Sequence, residues 1–419
     1  MRIMSREEPG AVRVTEHSPT SGQPAGKEQT VIINRRILPL AVALSLAGSA
    51  LLAACGDQPK PQTVVIAVTA TANEPAPSLS EPTQALVRRA IDTDGGSAML
   101  LTVANGQPVT IDGSIDLRLL RDGSDQIENN DTLRTQKSTA LLAQLQGRLQ
   151  SIDSGMGGLD MLGLLVGVGR QPGEATVLVV SSAVQGTDPV NLGVLGFDFD
   201  PNTVVDDLQA RNLMPNLSGK TVIFVGMGDV AGAQPALNPA ARGELTDLWL
   251  AVCRRAGAVS CDVDPTPAVA TPPAATTPVP VVPVPDPSTM VIDPATPDQA
   301  LPSEVLFEPN SATLRPGASD ALRPLADRII TERSRVHLVG HVWKVTDADD
   351  RDKAIELSTA RAQAVRDLLV NELKVPADQV VEVRGAGFDE PITLPGQADQ
   401  QQVASANRVV QAALTPPAS

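Results

Sequence analysis

The stretch from Asp264 to Pro297 decides how the rest of the chain can be organised. It includes the run TPPAATTPVPVVPVPDP. Proline lacks an amide hydrogen and fixes φ, so such a run serves neither as a helix interior nor as a central strand. Alternation with Val, Ala and Thr favours extended polyproline II, which makes no internal hydrogen bonds. The 419-residue chain is therefore divided into two folding units joined by a linker over 264–302. At about 3.1 Å per residue this reading gives a semi-rigid spacer reaching on the order of 100 Å.

Charge removes one class of partner. With 33 basic against 48 acidic residues the net charge is −15, and phosphate binding needs a basic footprint, so nucleic acid is not expected. There is no tyrosine and only 2% aromatic content, which leaves few platforms for stacking bases or sugars. Residues 1–30 are polar and carry no core pattern; they are expected to be an upstream extension, with translation starting near Val31. Arg35-Arg36 then precede an apolar run from Ile37 to Ala54. A charged region, an apolar region and small residues at the cut make 31–54 an export signal. Its end, Leu52-Ala53-Ala54-Cys55, resembles the lipobox of bacterial lipoproteins. The resemblance implies cleavage before Cys55, acyl chains on that cysteine, and a lipid-anchored place in the cell envelope outside the cytoplasm. Several acyl chains anchor stably where one is marginal. An uncleaved transmembrane anchor is the alternative, since roughly 18 apolar residues just span a bilayer.

Between 63 and 263, strand and helix patterns alternate. Thr63–Thr71 reads as a buried strand, and Ser80–Ile91 as a helix with Ser at its cap and Pro just inside. Ala98–Val103, Val109–Leu119, Ala175–Ser181 and Thr221–Val225 read as further strands. Asp131–Ile152, Leu159–Val168, Thr203–Leu213 and Ala241–Ala256 read as helices. That order predicts an open, mainly parallel, three-layer α/β domain. By element order alone it resembles a von Willebrand factor A-like fold. The metal site of that family has Asp-x-Ser-x-Ser after the first strand, where this chain has Val68-Thr69-Ala70-Thr71-Ala72-Asn73. Without the aspartate no metal is expected there. Gly226-Met227-Gly228-Asp229-Val230-Ala231 matches GxGxxA, but prolines at 235 and 239 delay the helix that a dinucleotide site needs, so no cofactor is assigned. Cys253 and Cys261 are expected to pair, as thiols of exported chains do. The three histidines are His17, His337 and His341, none of them in this domain, and no Gly-x-Ser-x-Gly occurs. No catalytic residues are assigned, and the domain is read as a binding module for an unknown ligand or envelope protein. An envelope enzyme, or a secretion or assembly scaffold, is the alternative.

Residues 303–413 form the second unit. Glu304–Phe307, Arg335–Val339, Val380–Arg384 and a segment opening at Ala406 read as strands, and Ser319–Arg333 reads as a helix. Another helix lies between Asp349 and Pro376, with Leu357, Ala360, Ala364 and Leu368 on an apolar stripe. Arg361 falls inside that stripe. A guanidinium on a core-facing stripe needs an anion, either an internal carboxylate or that of a ligand. The β-α-β-α-β order predicts a small mixed sheet with two helices on one face.

Several motifs accompany this order: Phe307 with Ser311-Ala312-Thr313-Leu314, Gly340-His341, Leu357-Ser358 with Arg361-Ala362 and Val365, Gly385-x-Gly387 with Pro391, and Asn407-Arg408. With them the segment resembles the OmpA-like C-terminal, or peptidoglycan-associated, domain. The resemblance implies that Arg361 and an aspartate after Gly-His hold the carboxylate and amine end of diaminopimelate in the peptidoglycan stem peptide. Leu357, Ser358, Asn407 and Arg408 fall on the same motifs, and the resemblance implies that they belong to the peptidoglycan-binding site. Gly-His is followed here by Val342-Trp343, and Thr346-Asp347 comes four residues later, so Asp347 takes the aspartate's part, with Asp349 and Asp350 as alternatives. Ala354 and Val409 replace an asparagine and an arginine of the family pattern. The whole chain is thus expected to be a lipid-anchored, non-enzymatic envelope protein that grips peptidoglycan non-covalently and ties membrane to wall.

Overall fold

The structure, a computed structural model, describes residues 62–104, 107–286, 290–346 and 349–417. The export segment, Cys55 and Asp347 lie outside the described residues. Strands β1 (Thr63–Val68), β2 (Ser97–Ala104), β3 (Gln107–Asp116), β4 (Ala175–Val180), β5 (Lys220–Val225) and β6 (Ser260–Asp264) form one sheet in the order β3-β2-β1-β4-β5-β6. Every neighbouring pair is parallel except the β2–β3 hairpin at one edge. Side chains alternate across a strand, and β1 uses both faces. Val64, Ile66 and Val68 pack with Val87 and Ile91 of α1 (Glu81–Asp92) and with Leu142, Leu145 and Leu149 of α2 (Asp131–Gln150). Val65 and Ala67 join the opposite core, which holds Leu164 and Leu165 of α3 (Met161–Gly169). The short α4 (Leu192–Leu195) adds Leu192 and Leu195, α5 (Pro201–Ala210) adds Val204 and Leu208, and α6 (Pro239–Arg255) adds Leu245 and Trp249. The three-layer α/β architecture is the expected one.

Local chemistry sets the helix starts. Ser80 caps α1 by accepting from the Thr83 amide, with Pro82 in the first turn. Helix α5 begins earlier than the apolar spacing suggests, because Asp200 accepts from the Asn202 amide and Pro201 presets φ. Cys253 of α6 and Cys261 of β6 form a disulfide.

The C-terminal unit contains β7 (Asp298–Pro302), α7 (Ser303–Leu306), α8 (Ala318–Glu332), β8 (Arg335–His341), α9 (Arg351–Asp367), β9 (Val380–Gly387), α10 (Gln400–Ala406) and β10 (Val409–Thr415). Its sheet runs β7-β10-β8-β9, antiparallel except for the β8–β9 pair. One core joins Leu322, Leu325 and Ile329 of α8, Ala362 and Val365 of α9, and Leu338 and Val410 of the sheet.

Two expectations are corrected here. The first strand is not Glu304–Phe307: β7 lies inside the stretch assigned to the linker, and Ser303–Leu306 is a helical turn. Strand β7 is nearly signal-free, since its only large apolar residue is Leu301. It is fixed by pairing with β10 and by Gln299, whose amide donates to the Asp293 and Thr296 carbonyls. The buried face of α9 is also rotated from the expected stripe: Ala354, Ser358, Arg361, Ala362 and Val365 are buried, while Ala360 is exposed. The helix lies so close to β8 and β9 that a Cβ on Gly340 would overlap the Ser358 carbonyl, and small residues therefore face the sheet.

The Pro-rich segment is not a free spacer. Polyproline II leaves its carbonyls unpaired, and the loops after β1 and β5 supply donors. Asn73 Nδ2 donates to Pro280 O at 3.2 Å and Asn238 Nδ2 to Pro285 O at 2.6 Å. Gln234 pairs with Val282 as a strand neighbour would, donating to its carbonyl at 2.7 Å and accepting from its amide at 2.9 Å. Val282 is buried in the α3–α5–α6 core. The segment thus lies along the carboxyl-end loops of the first sheet.

Candidate functional site

Arg361 on α9 is 1% exposed and fully engaged along its guanidinium edge. Nη1 and Nη2 each donate at 2.7 Å to the two carboxylate oxygens of Asp198, whose side chain is 6% exposed. Nε donates to the Ser311 carbonyl at 2.8 Å, and the Phe307 ring lies 5.3 Å below the guanidinium carbon. A planar fork matched to a carboxylate in this way is the strong form of the ion pair. Burial pushes the Asp198 carboxyl up, but the charge and hydrogen bonds of Arg361, the Asn310 amide and the Arg408 charge outweigh it and hold it below the usual value. Asp198 is therefore ionised.

Asp198 comes from the first domain, in the turn Gly196–Asp200 between α4 and α5. The last turn of α4 and the residues just after it reach a second arginine. Arg408 Nη1 donates to Val194 O at 2.7 Å, and its Nε lies 2.9 Å from Glu304 Oε1, which also accepts from the Phe197 amide at 3.1 Å. Gly196 has φ +70°, and a Cβ there would overlap Glu304 and Arg408. Beside the Arg361–Asp198 fork lies a cavity of about 460 Å³, lined by Trp343, Asp349, Asp350, Lys353, Leu357 and Asp200 among others.

The residues singled out by motif separate into two groups. Arg361 and Leu357 line the cavity. Ser358 does not: its Oγ accepts from the Gly387 amide at 3.0 Å, fixing α9 to β9. Asn407 is buried and braces the loop at Ile392, accepting from its amide at 2.6 Å and donating to its carbonyl at 3.1 Å. Arg408 binds the first domain as described. Asp349 and Asp350 reach the cavity rim, but each is used locally: Asp349 accepts from the Thr346 amide, and Asp350 caps α9. Trp343 lines the cavity, whereas His341 is buried away from it.

Sequence reasoning missed Asp198 and Glu304. One signal was present: of five phenylalanines, two flank Asp198, as Phe197 and Phe199.

A second missed carboxylate lies in the segment after β1. Glu74 is 3% exposed and accepts from Thr69 Oγ1 (2.7 Å), the Thr71 amide (2.9 Å), Thr71 Oγ1 (2.8 Å), Ser181 Oγ (3.1 Å) and the Ser182 amide (2.7 Å). Hydroxyls and amides that point at an anion are filled by the protein's own side chain. Among the described residues no group of three or more His, Cys, Asp or Glu is placed to hold a metal ion. The GxGxxA loop is likewise filled, with Arg242 donating to Met227 O at 2.5 Å and to Gly228 O at 2.9 Å.

The motifs, the four-stranded sheet and the buried arginine agree with the family comparison, in which residues 306–405 match the OmpA family. Residues 306–405 are an OmpA-family domain. Among solved structures, the periplasmic domain of Helicobacter pylori MotB is 21% identical, covers 29% of this chain and 76% of its own, and superposes with a TM-score of 0.24. A putative MotB-like protein from Desulfovibrio vulgaris is 25% identical over 31% of this chain and 78% of its own, with a TM-score of 0.25. The cell wall anchor of the T6SS from Pseudomonas aeruginosa is 26% identical over 28% of this chain and 80% of its own, with a TM-score of 0.24. No curated protein sequence matches the chain. Among the described residues no helix of the OmpA-like domain or its partner domain is long and apolar enough to cross a membrane.

Proposed function

We propose that the protein is a cell-envelope lipoprotein that holds peptidoglycan non-covalently through its OmpA-like domain. Arg361 receives the carboxylate of diaminopimelate in a stem peptide, Leu357 and Trp343 line the approach, and Asp347 is the candidate partner for the ligand's amine. Cys55 carries the lipid that ties the other end to the membrane. The observation that carries the reading is the Arg361 fork itself. It lies at a cavity wall, is backed by Phe307 and Ser311, and holds a carboxylate bidentately. No catalytic step is required. The OmpA-family match over residues 306–405 supports the same reading.

Full-length protein carrying Asp198→Ala, which leaves the fork without its internal carboxylate, is expected to co-sediment with purified peptidoglycan. The double variant Asp198→Ala/Arg361→Met leaves no unpaired buried charge and is expected to stay in solution. Failure of the Asp198→Ala protein to sediment would end the wall-binding reading. Such a failure would favour a second one, in which a degenerate module uses Arg361 only to staple two domains together; the burial of the pair speaks for it. Separately, Cys55→Ser is expected to abolish acyl labelling and leave an unprocessed precursor. Unchanged migration and labelling would remove the lipoprotein assignment.

A further inference from the structure

The segment Val194–Asp198, from the end of α4 into the Gly196–Asp200 turn, makes polar contact with both arginines that fall on the wall-binding motifs, and it does so from another domain. Asp198 fills the Arg361 fork with a carboxylate, which is the group a stem peptide would bring. Val194 O takes Arg408, and the Phe197 amide takes Glu304. The Asn310 amide donates to Asp198 at 2.8 Å, so the OmpA-like domain also spends a backbone donor on it. A ligand carboxylate and Asp198 cannot both occupy one fork.

We propose that Asp198 is an internal competitor of the wall ligand: the first domain latches the OmpA-like domain shut, and peptidoglycan binds by displacing the Gly196–Asp200 turn. The proposal rests on the wall-binding reading above. The chemistry of the exchange is balanced, since one carboxylate leaves the guanidinium as another arrives and Asp198 passes into water still ionised. The latch is intramolecular, so Asp198 competes at an effective concentration of about millimolar. A stem peptide is therefore a weak ligand of the closed form. The apparent affinity falls by the fraction of molecules that are open. Couplings of this kind amount to about 5–150-fold.

The test compares full-length wild type with Asp198→Ala for retention on purified peptidoglycan. The latch predicts at least about tenfold tighter binding by the variant, within the usual range of such couplings. Wild type alone supplies an independent readout that needs no mutation. Adding a soluble diaminopimelate-containing tripeptide at saturation should speed hydrogen exchange at the Phe197 and Asn310 amides, whose acceptors are in the latch. Equal retention of the two proteins, or ligand binding with both amides still protected, overturns the latch and leaves the wall reading intact. Absence of retention for both proteins overturns the wall reading and, with it, displacement by the wall.

Discussion

Arg361 and Asp198 carry opposite charges at a depth where neither is stable alone. Removing one partner strands the other in a low-dielectric setting, so Arg361→Ala should cost about 3–5 kcal/mol in urea unfolding. Replacing both, as Asp198→Leu/Arg361→Met, should recover most of that loss, because no buried charge remains. A double variant as unstable as the single one would show that the contribution comes from packing rather than charge. Because the Asp198 carboxyl is held below its usual value, its contribution is complete above about pH 4 and is lost as pH falls through the depressed value. Glu244 on α6 behaves oppositely. Burial, with Asp247, Asp198 and Asp200 nearby, raises its carboxyl from 4.5 to about 7. The folded state therefore keeps a proton that the unfolded chain has released, and stability should decline as pH rises from about 4.5 to about 7. Glu244→Gln should flatten that decline, as followed by thermal melting across the range.

At the scale of elements, α9 owes its position to backbone contact with the sheet. Gly340→Ala would push Cβ into the Ser358 carbonyl, and overpacking of this kind costs typically about 1–3 kcal/mol. The measurable consequence is a lower melting temperature, together with faster exchange at the Gly387 amide that Ser358 holds. The Gly-His and Leu-Ser motifs were legible in the chain; their structural reason, two elements too close for a Cβ, was not. The docked linker gives a second case. Gln234→Ala removes two hydrogen bonds to Val282, worth about 0.5–1.5 kcal/mol each. It should make the segment near 279–285 more susceptible to limited proteolysis. Composition indicated an extended conformation for this segment and said nothing of a surface to lie on, because polyproline II advertises its free carbonyls only to a partner with matching donors.

Across the whole molecule, the two domains are joined by the Arg361–Asp198 fork, the Arg408 contacts and the linker. They should unfold in one transition in wild type and in two in Asp198→Ala, as calorimetry of the full-length protein can distinguish. A single transition in both would mean that the Arg408 contacts and the linker couple the domains without the fork. The disulfide lies within the first domain and closes a short loop, so reduction should lower that domain's stability by about 2–3 kcal/mol without separating it from its neighbour.

Sequence by itself determined the parts. It gave the alternating strands and helices of the first domain through their periodicity, the OmpA-like motifs through residue types at fixed spacing, the paired cysteines, and the need of Arg361 for an anion. It could not determine which anion. Asp198 and Arg361 are separated by 163 positions, and nothing local to either residue records the other. The same holds for Glu74, whose five donors come from two loops more than a hundred residues apart. Only the tertiary structure brings Asp198 against Arg361 in a buried setting, where an unpaired charge is too costly to persist and a carboxylate from the neighbouring domain becomes the partner of the arginine.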